Sequence, residues 1–405
     1  MLPLLLALQV AATPHDALHY DITLVPADTG AHLLGETETT WRLATADPVA
    51  VELDSSMRVV RVLIDGRPNT RLSRTMYGRS EHDVLVPHQK QAGDSITTRI
   101  RYHGRAHGGA RVGSNLKGER IFIATARGDS AQSWLPVPLE TGFDRTAASF
   151  RIQSSLTQRV IAPGALEKVD TLPYGHAIWR YRMETSAPIA SLAVASGPYQ
   201  VRSLTPGRCG DGCPAVEVWS YPGGPVVPAG LGKAWEMVEF FAERVGHYPY
   251  HRLAHVEAAM PATIDSPGMV LHPTGWLAGA GPADSAVAQA TARQWFGVGI
   301  SPAARDDGPL IDGLARLLAE VWRGRAAKPR VLMPRDSLSA AGRAVVELSS
   351  LRVQVGDSGF FAGLRAFAAE RMHQSATGAD FVRAMSAATG RDIAQDLRQT
   401  LGRDR

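Results

Sequence analysis

Lysine is scarce in this sequence of 405 residues. Only five of its 43 basic residues are lysines, and no run of basic residues alternates with aromatic side chains. The formal net charge is +4, and 20% of the residues are charged, which is ordinary for a globular protein. A small, scattered excess of positive charge reflects composition rather than a surface that binds nucleic acid. The sequence therefore predicts no nucleic-acid partner.

Long hydrophobic runs are absent as well. No segment approaches the roughly 20 apolar residues that a membrane-spanning helix needs, so no transmembrane segment is expected. The first residues, MLPLLLALQVAATPHDA, combine a short apolar run with small residues that suit a signal peptidase, although no Lys or Arg precedes the run. We therefore predict an atypical signal peptide over residues 1–12 and export to the periplasm or the extracellular space.

Cysteine is limited to Cys209 and Cys213, which flank a Gly-Asp-Gly turn. In an oxidising compartment, a local disulfide that closes this turn is the simplest interpretation. The alternative is a metal site, but two thiols without a third and fourth nearby ligand make a poor zinc cage.

The pattern of apolar residues changes once along the chain. From about residue 18 to 199, apolar and polar residues alternate in short runs separated by Gly, Pro and Asp, which is typical of an antiparallel sandwich or curved sheet. Later segments, such as LGKAWEMVEFFAERVG, have helical periodicity. We predict an α+β protein with a β-sheet domain over residues 13–202, a linker or hairpin over 203–225, and a mainly helical domain with a small sheet over 226–405.

Several separated segments carry a family resemblance. They are DRTAASFRI, SAPIASLAVASGPY, VGHYPYHRLAHVE, ATIDSPGMVLHP, QATARQWFG and PLIDGLARLLAEV. Their order resembles the aminopeptidase N family of zinc metallopeptidases, which are gluzincins with the pattern HExxH-x18-E. The resemblance covers about residues 18 to 400. It implies a thermolysin-like peptidase domain in the second half, without the C-terminal helical-repeat domain of many members.

The resemblance places the zinc-binding pattern on residues 289–293, Gln-Ala-Thr-Ala-Arg, and eighteen residues then separate Arg293 from Asp312, as in the family. Catalytic zinc needs three protein ligands and an open position. An amide oxygen at Gln289 is a weak ligand, Ala290 cannot act as a base, and the Arg293 guanidinium stays cationic and has no free lone pair. We expect no bound zinc, no other cofactor and no catalytic residue of the family's type.

Two further functional positions of the family also carry different residues in this sequence. The glutamate that holds the substrate's amino group corresponds to Asp265, which Pro267 and Gly268 anchor, and the catalytic tyrosine corresponds to Ala341. Without a metal, a base and a hydroxyl that stabilises the oxyanion, no mechanism of this type remains. A preformed groove can still bind a ligand. The resemblance suggests these substrate-binding candidates: Asp265, Gly268, Met269, Arg293 and Asp312.

Arg293 has a second predicted role. Two carboxylates left in a cavity without their metal would be buried and uncompensated, which is costly. We hypothesise that Arg293 pairs with Asp312, and also with Asp265, in the place of the ion. The alternative is that Arg293 points to solvent.

Three functions stay open on the sequence alone. The first is an exported, catalytically inactive homologue that binds a peptide N-terminus or a protein partner in the former active-site groove. The second is an active metallo-aminopeptidase with displaced ligands drawn from Asp312, Asp265 and His272. The third is a structural or assembly partner that acts through the β-sheet domain.

Overall fold

The computed structural model describes residues 15–69, 73–77, 80–127, 130–138, 144–207, 213–224, 227–275, 283–324 and 338–394. The predicted signal peptide and Cys209 lie outside these ranges. Export and the predicted disulfide between Cys209 and Cys213 therefore stay predictions.

The first half of the chain forms three sheets. The largest has eight strands. From one edge to the other they are β14 (Ala165–Leu172), β15 (His176–Pro188), β12 (Arg145–Ser155), β1 (Asp16–Pro26), β2 (His32–Arg42), β8 (Ser95–Arg105), β4 (Met57–Ile64) and β5 (Arg67–Pro68). Two four-stranded sheets accompany it: β13 (Arg159–Ile161), β16 (Ala193–Gly197), β10 (Arg120–Thr125) and β9 (Ala110–Ser114), and then β11 (Val137–Pro138), β3 (Val49–Glu52), β7 (Ser80–Val86) and β6 (Ser73–Tyr77).

Alternation of buried and partly exposed residues explains the long strands. Along β12 and most of β2 every second residue is buried, so one face of each strand packs in the core and the other meets solvent. The buried Trp41 indole also donates a 2.8 Å hydrogen bond from Nε1 to Thr98 Oγ1 across the sheet. The pairing of β1 with β12 is parallel, whereas β1 pairs antiparallel with β2.

The second half of the chain combines a five-stranded sheet with helices. The sheet contains, in order, β17 (Gln200–Ser203), β18 (Ala215–Ser220), β19 (Arg252–Ala258), β21 (Met269–Pro273) and β20 (Ile264–Ser266). The helices are α1 (Ala234–Val245), α2 (Ala283–Arg293), α3 (Gly308–Trp322), α4 (Ala340–Arg371) and α5 (Gly378–Thr389), and a short pair is formed by β22 (Ser301–Pro302) and β23 (Ser375–Ala376). The predicted linker, residues 203–225, thus contains β18, while β17 lies mainly before it in the range predicted for the sheet domain, and both strands belong to the sheet of the second half.

Helix α4 is interrupted by a kink. The sequence predicts a helix on either side of the Val355–Phe360 segment, and the backbone leaves the helical conformation within that segment, at Gly356 (φ 75°, ψ 160°), so α4 consists of two helical segments as predicted. The Arg352 guanidinium spans the kink with two 2.7 Å contacts to the Asp357 carboxylate. A glycine in the left-handed region lets the chain bend and resume the helix. The predicted α+β class, with a sheet domain before a mainly helical one, is confirmed.

Within the described ranges, no helix is long and apolar enough to cross a membrane.

Candidate functional site

Helix α2 supplies the positions that correspond to the family's zinc-binding pattern. Gln289 and Arg293 lie one turn apart and therefore on the same side of the helix. Ala290 is 4% exposed and contributes to the hydrophobic core. After the helix, the buried Trp295 indole donates from Nε1 to the backbone oxygens of Gly246 and His247, both at 3.1 Å. The segment after the pattern thus fixes the end of α2 against the end of α1.

The edge strand β20 and its turn are held against the same helix. The Gln294 side-chain oxygen accepts a 3.0 Å hydrogen bond from the Gly268 backbone N–H. Gly268 has φ 70°, and a Cβ there would lie 2.8 Å from the Arg252 carbonyl oxygen, so the turn requires glycine. This turn sets Asp265 opposite α2. The side chain of Met269 is fully buried in an apolar cluster.

Arg293 lies between the two carboxylates. Its Nη1 donates to Asp265 Oδ2 at 3.1 Å, and its Nη2 donates to Asp312 Oδ1 at 2.7 Å. Asp312 lies in the first half of α3, so the guanidinium connects β20, α2 and α3. The hypothesis that Arg293 pairs with Asp312 and Asp265 is confirmed, and the alternative that it points to solvent is wrong.

Two further arginines extend this pair of contacts. Arg316 lies one turn after Asp312 on α3, with its Nη2 at 3.8 Å from Asp312 Oδ2. Arg127, which follows β10 in the sheet domain, donates from Nη1 to the Thr263 carbonyl oxygen at 2.8 Å, just before β20. We call these five residues the charge row: Arg127, Asp265, Arg293, Asp312 and Arg316. The sequence does not single out Arg127 or Arg316, although the i, i+4 spacing from Asp312 to Arg316 is a visible signal.

Burial controls the electrostatics of the inner residues. Burial raises the pKa of the Asp265 carboxyl, while the charge and hydrogen bond of Arg293, and then the charge of Arg127, act in the opposite direction. Burial also opposes the positive charge of Arg293, but the two carboxylates together raise the pKa of its guanidinium. Arg293 therefore stays charged at every pH at which the protein is folded.

These residues do not fit a zinc ion of the family's type. The guanidinium nitrogens of Arg293 bond directly to Asp312, which the resemblance places at the third ligand position, and to Asp265, and a guanidinium has no lone pair to donate to a metal. Gln289 and Ala290 offer one weak donor and no base. Among the residues that the structure describes, no three His, Cys, Asp or Glu side chains lie close enough together to hold a metal ion.

His272, named in the alternative with displaced ligands, has a different neighbour. Its Nε2 lies 2.9 Å from His255 Nδ1, and the two rings stack with their centroids 5.2 Å apart. Both side chains are fully buried, on the adjacent strands β21 and β19. Burial is the main cause that lowers the pKa of His255 to about 3 and that of His272 well below its usual range. Both rings are therefore neutral at physiological pH.

Ala341 lies in the first turn of α4 and is 8% exposed. An alanine side chain supplies no hydroxyl, so this position cannot donate a hydrogen bond to an oxyanion.

The fold matches that of known zinc metallopeptidases. The M1 zinc metallopeptidase from Deinococcus radiodurans superimposes with a TM-score of 0.77 and 20% identity, over 95% of this chain and 93% of that one. A mutant of that protein, bound to a Tyr-Ser-Ala substrate, gives a TM-score of 0.76 at 19% identity, over 95% and 94% of the two chains. Aminopeptidase A from Legionella pneumophila, in complex with aspartic acid, gives 0.80 at 12% identity, over 94% of this chain but 48% of that one. The chain therefore has the fold of the two-domain M1 zinc metallopeptidases, the aminopeptidase N family.

The sequence itself matches no protein-family model, and no curated protein matches it.

Proposed function

We propose that this chain is an exported, catalytically inactive relative of the zinc aminopeptidases that binds a peptide, or a segment of a partner protein, in the former active-site groove. The observation that carries the proposal is the position of Arg293, bonded to Asp265 at 3.1 Å and to Asp312 at 2.7 Å. A metal would have to displace a charged, doubly paired side chain from this place.

The proposal of inactivity rests on the chemistry of the side chains. Peptide hydrolysis by this class of enzyme needs a polarising metal, a base for the attacking water and a donor for the oxyanion. Arg293, Ala290 and Ala341 occupy those three positions. None of them can perform the corresponding step, so the groove is left with binding alone.

Peptide binding is supported by the relatives and by one unused acceptor. A mutant of the Deinococcus protein is bound to a Tyr-Ser-Ala substrate, and a mutant two-domain M1 zinc metallopeptidase is bound to L-tryptophan in one structure and to L-arginine in another. In this chain, Asp265 Oδ1 is enclosed and has no hydrogen-bond partner among the described residues. A buried acceptor without a donor is costly, and the amine of a peptide N-terminus is a suitable donor.

Three measurements on the purified protein test the proposal. Elemental analysis should find zinc far below one ion per chain, and aminoacyl reporter substrates should not be cleaved. Calorimetry with short peptides should detect binding, and Asp265→Ala should weaken it. Stoichiometric zinc with cleavage would support the alternative with displaced ligands Asp312, Asp265 and His272. Absence of peptide binding would support a role of the β-sheet domain in assembly.

Restoring the metal ligands is a sharper test of the alignment. The variant with Gln289→His, Ala290→Glu, Arg293→His and Asp312→Glu should bind about one zinc ion per chain. Two histidines one helical turn apart, and the carboxylate at position 312 as the third ligand, then converge on one point. Zinc content after dialysis measures the result. The matched control keeps Arg293 and carries the other three changes, and it should stay free of zinc. If the fourfold variant folds but takes up no zinc, the positions are assigned wrongly.

A further inference from the structure

The charge row has more positive than negative groups. Three guanidinium groups (Arg127, Arg293, Arg316) alternate with two carboxylates (Asp265, Asp312), which leaves one positive charge. The nearest acidic residue further along α3, Glu320, contacts Arg323 at 3.8 Å, so it already has a partner. Asp265 and Asp312 are thus shared among three cations.

Hydrogen-bond donors in the row also lack acceptors. The Nε atoms of Arg293 and Arg316 are enclosed, and neither has an acceptor among the residues that the structure describes. Among the described residues, the one ion-pair contact of Arg316 is a long one, 3.8 Å to Asp312, although its guanidinium has five N–H groups. Donors in such surplus are best satisfied by a group with two acceptor oxygens and a negative charge, which is a carboxylate.

The outer members of the row are accessible, and its interior is not. Arg127 is exposed, and the side chains of Arg316 and Asp312 are 38% and 41% exposed. The Asp265 side chain is only 13% exposed. A ligand can therefore reach the guanidinium groups at the ends of the row, one on the sheet domain and one on α3, without displacing Arg293.

We infer that the groove recognises its peptide through a carboxylate, which one of the outer arginines, Arg127 or Arg316, holds. This inference rests on the proposed function, since it names the chemical group by which the bound peptide is selected. The carboxylate comes either from an acidic side chain or from a peptide C-terminus. Asp265, which the proposed function assigns to the peptide amine, is the least exposed member of the row, so the contact of a carboxylate with an outer arginine does not depend on it.

Calorimetry with three tripeptides tests the inference. All three keep a free N-terminus: Asp-Ala-Ala-amide has only a side-chain carboxylate, Ala-Ala-Ala has only a C-terminal one, and Asn-Ala-Ala-amide has neither. At least one of the first two should bind about tenfold more tightly than the third, as expected for a charge-assisted hydrogen bond. The tighter of the two identifies the source of the carboxylate.

Single variants connect this preference to the row. Gln at the arginine that holds the carboxylate, Arg316→Gln or Arg127→Gln, should reduce the preference about fivefold, and Lys at the same position serves if the Gln variant fails to fold. Arg323→Gln is the matched control, because Arg323 directly follows α3 and contacts Glu320 and Ser285 instead of the row. Equal binding of all three peptides, or a preference that survives both row variants, would overturn the carboxylate inference and leave peptide binding in place. If none of the peptides binds, the proposed function fails as well.

Discussion

A single residue, Arg293, sets the charge balance of the candidate site. One guanidinium occupies the region between β20, α2 and α3 and neutralises two carboxylates at once. Its planar arrangement of donors allows two separate pairs, which a lysine ammonium could not make with the same geometry. The arginine at this position thus supplies the positive charge that balances the two carboxylates.

Arg293→Met should lower the free energy of unfolding by about 2–3 kcal/mol. The value is smaller than the roughly 3–5 kcal/mol for a fully buried pair, because Arg293 and Asp312 are partly exposed. Denaturant titration measures the change. Arg365→Ala, at an exposed position on α4, should change stability by no more than about 0.5 kcal/mol. Adding Asp265→Leu to Arg293→Met should recover part of the loss, since it removes the uncompensated buried charge. A stable single variant would mean that the pair is not needed.

Part of this site can be predicted from the sequence. The resemblance gives the eighteen-residue interval and the Pro-Gly turn their meaning, and through it they identify Arg293, Asp312 and Asp265 as neighbours. Arg127 could not be found in this way. It belongs to the other domain, and only the packing of the sheet domain against β20 brings it to Thr263. Contacts between distant segments depend on tertiary packing, which local patterns do not encode.

At the scale of whole elements, the close contact of α3 with α4 positions Asp312. Gly313 follows Asp312 directly, and a Cβ at Gly313 would lie 2.7 Å from the Ala344 Cβ. The glycine thus allows the two helices to approach closely. Periodicity predicts α3 and the two segments of α4 on either side of Gly356. It does not predict how closely α3 approaches α4, because that distance depends on tertiary packing.

Gly313→Ala should destabilise the protein by about 1–3 kcal/mol, because the added methyl group forces α3 away from α4. Gly308→Ala is the matched control on the same helix: a Cβ there meets nothing within 4 Å, and its φ is helical at −53°. That change should be neutral, or stabilising by up to about 1 kcal/mol. Thermal and denaturant unfolding of both variants measure the difference. Equal stability of the two would show that α4 adjusts to the extra methyl group without cost.

Arginines join the two halves of the whole molecule. The sheet domain contributes Arg111, which donates to the Ala259 oxygen at 2.9 Å, and Arg145, which donates to Ser301 Oγ at 2.7 Å. In the other direction, Arg252 donates to the Ala162 oxygen at 2.9 Å. A guanidinium has five donors in a fixed plane and can satisfy several carbonyl oxygens at a domain interface. The scarcity of lysine in the sequence is consistent with this use of its basic residues.

The acid stability of the folded chain depends on the buried pair His255 and His272. Burial is the main cause that keeps the pKa of His255 at about 3 and that of His272 well below its usual value, whereas both rings take up protons below about pH 6.5 in the unfolded chain. Their contribution to stability is therefore complete above that pH. It is lost progressively as the pH falls from about 6.5 toward 3, because unfolding then binds protons that the folded state excludes.

The variant with His255→Leu and His272→Leu should lose this acid sensitivity. Its free energy of unfolding relative to the unchanged protein should rise by about 1.4 kcal/mol per pH unit for each histidine removed as the pH falls below about 6. Denaturant titrations at several pH values between about 7.5 and 4.5 measure the difference in free energy of unfolding between the two proteins. The contributions of titratable groups that both proteins share cancel in this difference. His247→Leu is the control, because an exposed ring loses little hydration on folding. A difference in free energy of unfolding that does not change with pH would mean that the two histidines take up protons in the folded protein. The strands β19 and β21 would then open around the pair more readily than its burial implies.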